Sequence, residues 1–284
     1  MNDIETASAN TVPTSLKQVG ITMKYTLLDY FRSRRFFILL AINLLVGVLS
    51  TTLVGYYRPE SYLNSPLSFY SSWWGNSVTF TIILSAIFFG GDAISGEFQN
   101  KTGYFGIPNP IKRSSIYIGK WLAAFLAATT ILAVFVAITI SNGIYYFGLN
   151  APIEFGESVL LAWFYLVAVI GFTFFFSSLF KSNSMSIIVT TILFLFVFSL
   201  IQTLVSTLVK IEPWFILTYG GQIVGNVLTV PYPPHESVIR FGPNGAGTLT
   251  TYNATIPEGL LIIALYFLIT TILGLILFQR KEFT

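Results

Sequence analysis

The sequence predicts an all-α polytopic membrane protein with six transmembrane helices, an N-terminal amphipathic interfacial helix and both termini in the cytoplasm. Three observations predict it. Only 10% of the 284 residues are Asp, Glu, Lys or Arg, against roughly 25% in an average soluble protein. Six runs of about 20 residues or more contain no Asp, Glu, Lys, Arg or His, which is the length and chemistry of a helix crossing a bilayer. The basic residues between those runs fall very unequally on alternate sides. A cytosolic enzyme, a disordered chain and a nucleic-acid binder all need more charged, solvated surface than this, so the composition excludes them. The absence of Cys removes disulfides, thiolate metal sites and cysteine nucleophiles.

Residues 1–14 read as a flexible tail. In 15–35, Leu16, Val19, Met23, Leu27 and Tyr30 recur at helical spacing among polar positions. This segment is expected to lie on the inner leaflet, with Arg32, Arg34 and Arg35 at the headgroups. It is too long a leader for a signal peptide, so it reads as a retained cytoplasmic segment. The spans follow at about 36–57, 73–91, 121–147, 158–180, 184–209 and 259–278, within a transmembrane domain of 36–284. Counting Lys and Arg in alternate loops gives 12 on the side of the N-terminus, the 92–120 loop, the turn at Lys181 and the tail. The other side holds Arg58, Lys210 and Arg240, while the acids divide six to six. The bias puts both termini in the cytoplasm and fits a plasma-membrane protein.

Several spans carry polar stripes. Asn43, Gly47 and Ser50 mark the first, Asn76, Thr79 and Ser85 the second, and Ser199, Gln202 and Ser206 the fifth. Such stripes mark either helix–helix contacts or a polar pathway, and packing is the plainer reading. Asn43, Asn76, Asn142 and Gln202 are costly to leave in lipid and are expected to point inward. The outer loop 210–258 begins with Pro213, Trp214 and an apolar stretch to Val230, the pattern of an interfacial or re-entrant helix. Pro231, Pro233 and Pro234 end it, and 241–257 reads as turns or a hairpin. Asn253-Ala254-Thr255 is a glycosylation sequon on the outer side, so Asn253 is a possible acceptor. His235, the only histidine, has no evident ligand partner in sequence beyond Glu236.

Gly242-Pro243-Asn244-Gly245-Ala246-Gly247-Thr248 imitates the phosphate loop of an ATPase. Thr248 stands where the phosphate-binding Lys belongs, a proline run precedes it, and the topology puts it outside. It reads as a Gly turn, and the chain is expected to have no nucleotide site of its own.

The loop 92–120 contains Asp92, Glu97, Lys101-Thr102-Gly103, Pro108, Pro110, Lys112-Arg113 and Gly119-Lys120. A plain solvated loop does not account for acid, Thr, Pro and base at these intervals. The order Glu97, Thr102, Pro110, Arg113, Gly119-Lys120 resembles the coupling loop of permease subunits in ABC-2 (type V) ATP-binding cassette transporters. Ser177–Ser182 is similar to that family's turn into its fifth span. Gln99 and Lys101 depart from the pattern, where a second acid and a Gly are common. The resemblance covers roughly 15–284.

The resemblance implies a permease working with a second permease, either another copy or a sibling chain, and with two cytosolic ATP-binding cassette ATPase subunits. ATP and Mg would be bound by the ATPases and no cofactor by this chain. The resemblance implies export, often of lipids, glycans, drugs or peptides. It places a coupling helix within about 92–112, where Asp92 and Glu97 pair with Arg113, Lys120 or the leader arginines. Pro108 and Pro110 shape the turn, and Lys112 and Arg113 contact the ATPase or lipid phosphates. It also implies a pathway lined by the second and fifth spans, which suits Asn76, Thr79, Ser199, Gln202 and Ser206. Two rivals remain. One is a stand-alone carrier or channel; proton- or ion-coupled carriers generally need an ionisable group within the membrane, and the six runs have none. A non-transporting anchor of an ATP-driven complex would share the same architecture.

Overall fold

The structure, a computed structural model, describes residues 14–75, 77–100, 112–241 and 247–281. Six helical segments are long and apolar enough to cross a membrane: Arg34–Tyr57, Pro66–Gln99, Arg113–Phe147, Ile153–Leu179, Asn183–Val209 and Ile256–Arg280. Among the described residues, the β-structure is a single hairpin.

Helix α1 (Ser15–Arg32) is followed almost at once by the first span, α2 (Arg34–Tyr57). Ser33 makes the corner: its extended backbone ends α1, and its hydroxyl accepts from the Phe36 N–H to cap α2. Helix α1 packs along the start of the third span, α7 (Arg113–Phe147). Gln18 is buried there and its side chain accepts from the Lys112 N–H at 3.1 Å. The contact is close because Gly119 has no side chain. A Cβ there would lie 2.7 Å from Thr22 Cβ and 2.9 Å from the Val19 carbonyl oxygen. An interfacial helix resting on the leaflet is therefore only half of the picture. Val19, Met23, Leu27 and Tyr30 are half-buried in the direction of the protein, while Ile21, Tyr25 and Leu28 stay exposed for lipid. Leu16 is 84% exposed and does not share the packed face.

The connection after α2 is helical rather than a plain loop. It forms α3 (Glu60–Leu63) and α4 (Pro66–Tyr70), the latter started by a Ser65/Ser68 capping box with Pro66 in its first turn. The second span runs on through a π-turn (Ser71–Gly75), α5 (Val78–Gly90) and α6 (Ser95–Gln99). A charge-free criterion also cut the third span short. Its helix begins at Arg113, so Gly119 and Lys120 lie inside it rather than in a loop. Helix α8 (Ile153–Leu179) is the fourth span. The fifth is a composite of α9 (Asn183–Ile192), a π-turn (Leu193–Val197), α10 (Phe198–Leu204) and a second π-turn (Val205–Val209).

The segment after the fifth span then folds back as α11 (Leu217–Gly221) and α12 (Ile223–Asn226), with Leu217, Tyr219, Ile223 and Val224 buried. Trp74 Nε1 donates to Ser158 Oγ at 2.8 Å, and Ser158 Oγ donates to the Val224 carbonyl at 2.5 Å, tying α12 to the second and fourth spans. Strands β1 (Glu236–Phe241) and β2 (Gly247–Tyr252) pair antiparallel, from Glu236 opposite Tyr252 to Phe241 opposite Gly247. The sixth span, α13 (Ile256–Arg280), begins with a Thr255/Glu258 capping box and Pro257.

The core lies between the second, third and fourth spans. Buried shares are 72%, 50% and 61% there, against 22%, 17% and 22% in the first, fifth and sixth. Ala86, Ala124, Ala127, Ala128, Ala162 and Ala168 are fully buried and let these helices approach closely. The first, fifth and sixth spans are thus the ones with faces to spare for lipid or another chain.

Candidate functional site: a clamped elbow and an outer polar vestibule

The exit of the second span turns at Gly90-Gly91 into α6, and five neighbouring elements hold this elbow. Asp92 is ion-paired to Arg35 of α2 at 2.5 Å. Glu97 is ion-paired to Lys120 of α7, whose ammonium also donates to the Ala93 carbonyl at 2.9 Å. The expected pairing of the two acids with Lys120 and a leader arginine is thus what the side chains make. Arg113, expected as a further partner, instead turns to the end of α13. Its guanidinium donates to the carbonyls of Gln279 at 2.9 Å and Lys281 at 2.8 Å. Lys281 in turn donates to the Ser178 and Phe180 carbonyls at the end of α8, at 3.0 and 2.8 Å. Each cation meets a helix C-terminus, where unpaired carbonyls and the helix dipole favour positive charge.

The elbow's backbone is fixed by the fourth and fifth spans. Ser177 Oγ accepts from the N–H groups of Ile94 at 2.9 Å and Ser95 at 3.0 Å, at the first turn of α6. Ser95 Oγ donates to Asn183 Oδ1 at 2.9 Å, and the Asn183 N–H donates to Gln99 Oε1 at 2.7 Å. Ser186 Oγ donates to the Gly91 carbonyl. Tyr30 of α1 donates to the Phe89 carbonyl at 2.7 Å, and burial together with the Asp92 charge pushes its hydroxyl pKa upward, so it stays a donor. Burial and nearby Lys181 lower the Lys281 ammonium to about 8. Thr102, Pro108 and Pro110 lie outside the described residues. Lys112 is exposed beside them, and its N–H is the one bound by Gln18.

On the opposite face, two polar cavities meet at Gln222. One, of about 350 Å³, is lined by Ser71, Gly75, Thr79, Gln222, Asn226 and Thr229 among others. The second, of about 460 Å³, is lined by Gln202, Thr203, Ser206, Gln222, Thr250 and Asn253 among others. Thr79 of the second span and Gln202 and Ser206 of the fifth therefore share one hydroxyl- and amide-rich lining through Gln222. Its Oε1 is buried without a hydrogen-bond partner. Ser199 is exposed and lines neither cavity, and Asn76 lies outside the described residues. Asn43 is buried between the first two spans, accepting from Thr81 Oγ1 at 3.1 Å and donating to the Leu39 carbonyl. Asn253 donates its amide to the Pro234 carbonyl at 2.9 Å, so the sequon side chain anchors the hairpin base.

Sequence reasoning missed Ser177 and Gln222. Ser177 sat in a motif read only as a turn, and Gln222 in a stretch read as apolar. A lone Gln within an apolar outer run is a usable signal; nothing in sequence announces that Ser177 caps a helix 82 residues away.

Six helices long and apolar enough to cross a membrane define a multi-pass membrane protein. Residues 23–283 match the family described as ABC-2 family transporter protein, and the chain belongs to that family. It is accordingly a membrane permease component of an ATP-binding cassette transporter, the partner of ATP-binding ATPase subunits. No curated protein matches the chain.

Proposed function

We propose that this chain is the permease of an exporter for amphiphilic or bulky substrate, powered by two separate ATPase subunits. A second permease, another copy or a sibling, faces it across the pathway. It sits in the plasma membrane with both termini cytoplasmic. ATP and Mg are held by the ATPases, and this chain binds neither; Gly247 and Thr248, the last two residues of the Gly242–Thr248 motif, lie in strand β2, whereas a phosphate loop must open a helix.

The observation that carries this reading is the elbow. A largely buried turn at the end of the second span is joined to the first, third, fourth and fifth spans by charge pairs and hydrogen bonds. A push on α6 therefore reaches four spans at once. The fifth span supports the second permease. It is only 17% buried, yet carries exposed Ser199 one turn from Gln202. Polar groups at membrane depth need a polar or protein neighbour, which a facing permease and its pathway supply.

The test is reconstitution of the chain with its cognate ATPase subunit. ATP-dependent movement of an amphiphilic fluorophore out of the ATPase-bearing compartment is expected. An active ATPase that leaves the fluorophore distribution unchanged with every amphiphile tried, or a chain that transports without any ATPase, overturns the reading.

A further inference from the structure

The outer face holds a cluster that the transport reading does not use. Glu212 follows the fifth span, His235 follows the proline run, and Glu258 sits in the first turn of α13. Although 23 residues separate His235 from each of the acids, each of the three contributes one ligand atom to a group in which all lie within 4.8 Å of one another. The partner of His235 is thus Glu212, not its sequence neighbour Glu236.

Each side chain is aimed by a separate contact. Tyr219 donates to Glu212 Oε1 at 2.7 Å. The Thr255 N–H donates to Glu258 Oε2 at 3.2 Å within the capping box. His235 Nδ1 lies 3.1 Å from the Asn253 carbonyl. A carbonyl only accepts, so the neutral ring carries its proton on Nδ1 and leaves the Nε2 lone pair free. Nε2 lies 3.3 Å from Glu212 Oε2. A carbonyl-bound Nδ1–H is the usual way a metal-ligating imidazole is oriented. Two carboxylates and a lone-pair nitrogen facing one another repel unless a cation or protons lie between them. Among the described residues, no Lys or Arg is ion-paired to either acid.

We propose that Glu212, His235 and Glu258 bind one borderline divalent metal ion, Zn²⁺ above others, as a clasp joining the outer segment to the start of the sixth span. An N/O₂ donor set with an open fourth position for water suits zinc. Ligand atoms about 2.1 Å from a tetrahedral ion stand about 3.4 Å apart, so the Nε2–Oε2 separation already fits and Glu258 needs only a small adjustment. The clasp also reaches the vestibule. Asn253, which holds the imidazole, lines the cavity shared with Gln202 and Ser206. Metal occupancy therefore sets the position of that wall.

The experiment uses the full chain without a polyhistidine tag, in neutral-lipid nanodiscs, stripped by chelator and titrated with ZnCl₂ against a chromophoric competitor. One Zn²⁺ per chain is expected, with affinity falling roughly tenfold or more in His235→Ala and in Glu212→Gln, and unchanged in Glu236→Gln. Because His235 is the only histidine, acylation of imidazole by diethylpyrocarbonate reports on it alone, and Zn²⁺ should slow that reaction. Absence of stoichiometric binding, equal affinity in His235→Ala, or undiminished acylation in the presence of Zn²⁺ each overturns the proposal.

Discussion

Replacing Glu97 with Gln keeps the shape of the side chain and removes its charge from Lys120. The two side chains are 23% and 16% exposed, between a surface pair and a buried one. Exposed pairs contribute about 0–1 kcal/mol, and removing one partner of a buried pair costs about 3–5 kcal/mol. A cost near 2 kcal/mol follows, because Lys120 keeps the Ala93 carbonyl and some solvent. At about 1.4 kcal/mol per tenfold, that energy is worth up to about 30-fold in the equilibrium that keeps the elbow in its docked shape. The assay is transport-coupled ATP hydrolysis by the reconstituted complex, together with the affinity of the ATPase for the permease in nanodiscs. Glu97→Gln, and more severely Glu97→Ala, should lose most of the coupled hydrolysis while the complex still inserts and the ATPase keeps its basal rate. Lys120→Met should behave alike, and the double variant should be no worse than either single, giving a coupling energy of about 1–2 kcal/mol. Strictly additive losses, or wild-type coupling in Glu97→Gln, would refute the reasoning.

Three further outcomes follow from the same geometry. Ser177→Ala orphans two buried N–H groups at Ile94 and Ser95 and should destabilise the elbow by roughly 2–4 kcal/mol, read as faster hydrogen exchange at 94–99 and a lowered Tm. Gly119→Ala forces a Cβ against Thr22 and Val19 and should cost about 1–3 kcal/mol, read as selective loss of exchange protection in α1. Lys281, lowered to about 8 by burial and Lys181, should titrate near that value by NMR of the methylated amine. Because its folded pKa lies below the unfolded one, its contribution to stability is least below about pH 8 and grows as pH rises toward 10.5. A Lys281 resonance that titrates with the exposed lysines removes the burial argument.

Much of the fold was legible in the sequence because the bilayer imposes a rule with few solutions. A chain with no water around it must satisfy its own backbone, so uncharged runs of about 20 residues become helices. Where the rule was applied too literally it failed. Lys120 sits inside a helix because Glu97 and the Ala93 carbonyl offset its charge, and a criterion that stops at any charge cannot see a partner on another span.

The sequence by itself determined six spans, the side on which the basic residues gather, and the acids and bases of the 92–120 loop. Their meaning as contacts was decided by tertiary structure alone. Only packing shows that Ser177 holds the first turn of α6, that Arg113 and Lys281 cap neighbouring helices, and that Gln222 joins Thr79 to Gln202. Only the fold-back of the outer segment brings Glu212, His235 and Glu258 together. Hydrophobic patterning records which residues leave water, a property each residue carries alone. A hydrogen bond, an ion pair or a metal clasp depends on two or more distant residues meeting, and that meeting exists only once the helices have packed.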